Sequence, residues 1–160
     1  MESLRNRINQ IIILFSSLVL TLLVLAVTWQ VISRYVLNNP STFTDEFSRF
    51  SLIWIGLLGA TYAFGVKAHL SIDLLVSKLP KEKITKLQML ISVIVLIFIL
   101  LVQVIGGGQL SLNTMGQLSP SLQIPMGVVY SILPISGIIN LLYMLIDIVE
   151  LKGMLKEGNK

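Results

Sequence analysis

The chain has 160 residues, of which 54% are hydrophobic and only 12% charged, with no cysteine and one histidine. At a mean hydropathy of +0.86, the net charge of +4 reads as a membrane-topology signal rather than a nucleic-acid footprint. The lack of cysteine excludes disulfides, thiol catalysis and thiolate metal sites, and one histidine is too few for a histidine metal cluster.

Four apolar stretches dominate: Ile11–Ile32, Phe47–Val66, Leu87–Ile105 and Met126–Ile146. About 20 residues at about 1.5 Å rise cross a hydrocarbon core roughly 30 Å thick. A helix apolar all the way round has no place in water. The prediction is an all-α integral membrane protein, one membrane domain over 1–160, with transmembrane helices at about 11–32, 47–66, 87–108 and 126–148. The first stretch is longer than a signal-peptide core of about 7–15 residues and lacks a clear small-x-small cleavage site, so it is read as a retained helix.

Basic residues fall on alternate connections. Arg5 and Arg7 precede the first span; Lys67, Lys78, Lys81, Lys83 and Lys86 separate the second and third; Lys152, Lys156 and Lys160 follow the fourth. Arg34 and Arg49 flank the first connection, and the third has none. This asymmetry predicts both termini and the middle connection in the cytoplasm.

In chain order, Asn38-Asn39-Pro40-Ser41 reads as a turn, and Thr42 or Thr44 as the cap of the second helix. Asp45 and Glu46 then suit the positive end of the helix dipole, with Arg49 in reach of both. An antiparallel hairpin would bring Arg34 to this group, either as a charge-neutralising staple or as a docking surface for a partner subunit. As adjacent residues, Asp45 and Glu46 project about 100° apart, which argues against a catalytic pair.

The middle connection predicts a short interfacial amphipathic helix over about 71–79, capped by Ser71, carrying Ile72, Leu75, Val76 and Leu79 on one face and stopped by Pro80. His69 and Asp73 at i,i+4 read as a local hydrogen bond. Gly106-Gly107-Gly108 should loosen the third span, and the uncharged segment Gln109–Pro125 should lie partly buried at the outer interface or against another protein. Pro134 should kink the fourth span. Gln30, Gln103 and Asn140 read as helix-association groups. Trp29 and Trp54 suit packing between helices, Tyr35 and Tyr130 the aromatic belts, and Asp147 with Glu150 and Lys152 an interfacial charge group.

Four runs together resemble the small membrane subunit (DctQ/SiaQ-like) of tripartite ATP-independent periplasmic (TRAP) transporters. They are Trp29–Pro40, Thr44–Phe50 continuing through Trp54 and Gly59-Ala60, Ala68–Asp73, and Gln117–Pro125 with Tyr130 and Pro134. The resemblance covers about residues 25–140. It implies an inner-membrane accessory subunit that stands beside a much larger elevator-type membrane subunit. In that family an extracytoplasmic binding protein delivers a carboxylate substrate for ion-coupled uptake. Arg34, Asp45, Glu46 and Arg49 match the family's polar outer hairpin, and His69 and Asp73 its cytoplasmic turn. Trp54, Gly56 and Gly59 would allow close helix approach, within the chain or on the large subunit. Asn38, Asn39 and the loop Gln117–Gln123 would be most exposed to the binding protein. The resemblance implies no cofactor and no nucleic acid; partners are the two other subunits and membrane lipids. Two other readings stand beside it. One is a self-sufficient small oligomeric carrier or channel. The other is a small intramembrane enzyme using Asp45, Glu46 and His69, against which His69 falls on the opposite side of the membrane from the acids.

Overall fold

The computed structural model describes residues 2–66 and 81–157. The predicted interfacial helix over about 71–79, with His69 and Asp73, lies outside the described residues. Within them the regular structure is helical, apart from one isolated antiparallel bridge between Leu118 and Pro125.

Helix α1 spans Glu2–Tyr35, 34 residues, starting well before its apolar run. It ends in a turn where Asn38 takes a φ of 50°, a left-handed conformation that asparagine tolerates better than most residues. The Ser33 hydroxyl holds that turn by donating to the Asn39 carbonyl (2.7 Å) and accepting from the Ser41 N–H (3.0 Å). Helix α2 runs Thr42–Gly65, and its cap is Ser41 rather than Thr42 or Thr44. Ser41 is the residue left in an extended conformation by the turn, so its hydroxyl is free to accept from the Thr44 N–H.

The third span is longer than its apolar stretch. Helix α3 (Lys81–Phe98) passes into π-helical turns over Ile99–Gly106 and then into α4 (Gly107–Asn113). The glycine triplet therefore does not end the span near residue 108. Gly106 and Gly107 keep helical backbone angles, Gly106 closing the wide turns and Gly107 opening the α-helix that follows. Helix α5 (Met126–Tyr130) and helix α6 (Ile132–Glu157) make the fourth span, with a break at Ser131. Pro134 accounts for the break: without an N–H it leaves the Tyr130 carbonyl without its helical partner, and its ring crowds that turn.

Four helical segments, Ser3–Tyr35, Thr42–Gly65, Ile84–Asn113 and Met126–Gly153, are long and apolar enough to cross a membrane. Helix α1 packs along α2, while α2 and the third span both pack on α6, the most buried element. Ile12, Leu58 and Ile132 form the apolar centre, with Ile8, Trp54, Tyr62 and Ile139 around it. Where helices approach most closely, glycine makes room. A Cβ on Gly107 would lie 2.8 Å from Leu133 Cβ, and one on Gly137 2.9 Å from Gln103 Cβ. One end of the bundle carries the 36–41 and 114–125 connections; the other carries the start of α1 and the end of α6.

Candidate functional site

At the loop end, Glu46 organises the polar structure. Its carboxylate accepts from the Ser119 hydroxyl (3.0 Å), the Ser121 N–H (3.1 Å) and the Leu122 N–H (2.7 Å). Ser121 also bonds Thr42 side chain to side chain at 3.0 Å. The loop Gln117–Gln123, expected with Asn38 and Asn39 to be the most exposed on its side, keeps Gln117, Leu118, Pro120, Ser121 and Gln123 exposed while Ser119 is buried against the start of α2. Gln123, at a φ of 53°, closes the loop by donating its side-chain amide to the Ser119 and Pro120 carbonyls.

Asp45 has other partners. It accepts from Gln30 Nε2 at 2.9 Å and pairs with Arg49 one turn on. The predicted meeting of Arg34 with Asp45 does not occur: Arg34 is exposed and has no ion-pair partner among the described residues. Gln30, one turn earlier on α1, makes the contact instead. The hairpin turn uses Ser33 as its hinge, which leaves Arg34 pointing outward beyond it. Asp45 and Glu46 divide their work as their 100° separation requires, one toward α1 and Arg49, the other toward the loop.

Trp54 reaches across to α5, where its indole N–H donates to the Val129 carbonyl at 3.0 Å. Together with Phe15, Val19, Phe47, Phe50, Leu122 and Val128, it lines an apolar cleft of about 260 Å³. Tyr130 is half-buried at the helix break. Gly56 and Gly59 are exposed, with nothing within 4 Å of a Cβ built on either, so the close approach expected at that face is not made within this chain. In the bundle interior the side-chain amide of Asn140 donates to Gln103 Oε1 at 3.1 Å, joining the fourth span to the π-helical turns of the third.

Sequence reasoning missed a second polar centre at the other end. Asp147 is buried and paired with Arg5 at 2.5 Å, across 142 residues of sequence. Arg5 also donates to the Tyr143 carbonyl at 3.3 Å, and the Tyr143 hydroxyl donates to Asn9 Oδ1 at 2.8 Å. A signal was available. Asn140, Tyr143 and Asp147 fall at i, i+3, i+7 on the last helix, and Arg5 and Asn9 at i, i+4 on the first, so each set shares one helix face.

The four long apolar helices, tied to one another by buried polar side chains as well as by apolar packing, define a multi-pass membrane protein. The sequence model for the DctQ component of tripartite ATP-independent periplasmic transporters matches residues 23–152, and the chain belongs to that family. A Haemophilus influenzae protein named as a TRAP transporter small permease protein is 32% identical over 139 residues, 87% of this chain and 86% of that one. The sialic acid TRAP transporter small permease protein SiaQ of Vibrio cholerae is 28% identical over 106 residues, 66% of this chain and 61% of that one. The sialic acid TRAP transporter permease protein SiaT of Haemophilus influenzae is 32% identical over 75 residues, 44% of this chain and 12% of that much longer one.

Proposed function

We propose that the chain is a non-catalytic scaffold subunit of a TRAP-type secondary transporter. It anchors a large elevator-type membrane subunit during ion-coupled uptake of a carboxylate delivered by an extracytoplasmic binding protein. The observation that carries this reading is the match to a small part of a long permease: a relative of this chain exists as one segment of a larger membrane protein. The side-chain chemistry agrees. Glu46, Asp45, Gln103 and Asp147 all bond other parts of the same chain, which suits a static framework beside a moving one.

The charge pattern supports an orientation with both termini and the Lys67–Lys86 connection on the cytoplasmic side of the inner membrane, and the Glu46-clamped loop on the outer side, toward the binding protein. The open Gly56–Gly59 face of α2 lies toward lipid or the large subunit. The test is transport in proteoliposomes containing this chain alone, the large subunit alone, or both, with the binding protein supplied outside. Uptake only with both supports the reading. Uptake by this chain alone overturns it in favour of a self-sufficient carrier or channel.

A further inference from the structure

Helix α1 packs along α2 and shares the apolar cluster with α6, and near its N-terminal end it reaches α6 through polar side chains. Four residues make that junction. The Arg5 guanidinium pairs with Asp147, bonds the Tyr143 carbonyl and lies 5.6 Å from the centre of the Tyr143 ring. The Tyr143 hydroxyl reaches on to Asn9, one helical turn from Arg5. Asn9 in turn sits over Gly65 at the end of α2, where a Cβ would fall 2.0 Å from Asn9 Oδ1. Three helices therefore meet at one buried polar point. The side chains of the ion pair are 8% and 2% exposed.

From this geometry we infer that Arg5 and Asp147 form a closing lock: a buried ion pair that seats the first helix against the last and forms only once the final span is in place. The first helix is made first, yet the partner of its buried cation arrives 142 residues later. Until then Arg5 has nothing buried to neutralise it, and burying a lone guanidinium is strongly unfavourable. The terminal end of α1 thus stays solvated until Asp147 inserts, while apolar contacts with α2 hold its middle. Breaking the pair by removing one member leaves a buried charge and reopens the junction. Replacing both members by neutral groups removes that penalty.

The chain is free of cysteine, so single reporters can be placed in it. Ile8→Cys reports on the seat of α1, since Ile8 packs on the central cluster. Val129→Cys reports on the loop end, where Val129 is buried. Maleimide labelling in native membranes is compared for the parent, Arg5→Gln, Asp147→Asn and the double substitution. The lock predicts labelling at Ile8→Cys about tenfold or more faster in each single variant, slow labelling restored in the double, and an unchanged rate at Val129→Cys throughout. The inference is overturned if the single variants label like the parent or the double labels as fast as the singles. It is equally overturned if both reporters open together, since the pair would then support the whole fold rather than the seat of one helix.

Discussion

Glu46 is one carboxylate serving three donors, and two of these are backbone N–H groups of the 119–122 segment. A charged acceptor bonds such donors more strongly than a neutral one. Glu46→Gln therefore frees the 119–122 segment: amide exchange at Ser121 and Leu122 rises while helix content stays the same. Unchanged exchange there would contradict the clamp. The glycines divide just as sharply. A Cβ on Gly127 would lie 2.2 Å from the Ser111 carbonyl oxygen, a backbone atom that cannot step aside. Gly127→Ala should cost about 2 kcal/mol or more in an unfolding titration. Gly56→Ala and Gly59→Ala meet open space in mid-helix, and each should raise the stability of the isolated chain by about 0.5–1 kcal/mol. If the large subunit packs on that face, these same substitutions weaken the complex, so the two effects separate in one pair of variants.

Among the elements, the third and fourth spans depend on each other's irregularities. The wide turns at Ile99–Gly106 bring Gln103 to Asn140, and Gly107 leaves the space that Leu133 and Pro134 fill. Membrane hydrogen bonds between helices average about 0.6 kcal/mol, so Asn140→Leu is expected to be mild, at most about 1.7 kcal/mol. Thermal unfolding in detergent checks this, and complete loss of folding would mean that the pair does more than join two helices. The elements were legible in sequence because apolar length and proline leave strong marks: four stretches gave four spans, and Pro134 gave the break at Ser131. Their ends were not. The glycine triplet continues as helix because neighbouring packing overrides propensity, and Ser41 caps α2 because the turn, not the residue type, decides which side chain faces the free N–H groups. Glu46 was legible as a helix-start acid but not as a loop anchor, since its donors lie 73–76 residues away. Arg5–Asp147 was hidden for the same reason, and because a basic residue before a first span already has a topological explanation.

For the whole molecule, α6 is the spine that α2 and the third span share, while α1 and the third span keep most of their surface open. Such an arrangement leaves broad apolar faces, as expected of a part that completes itself in lipid or against a larger membrane protein. Its membership of the DctQ family and the match to a segment of SiaT favour the latter. The most direct measurement is tagged co-purification from native membranes followed by mass spectrometry. A scaffold subunit should bring down a multi-span permease in fixed stoichiometry. Recovery of this chain alone, as a defined homo-oligomer competent for transport, would contradict the account.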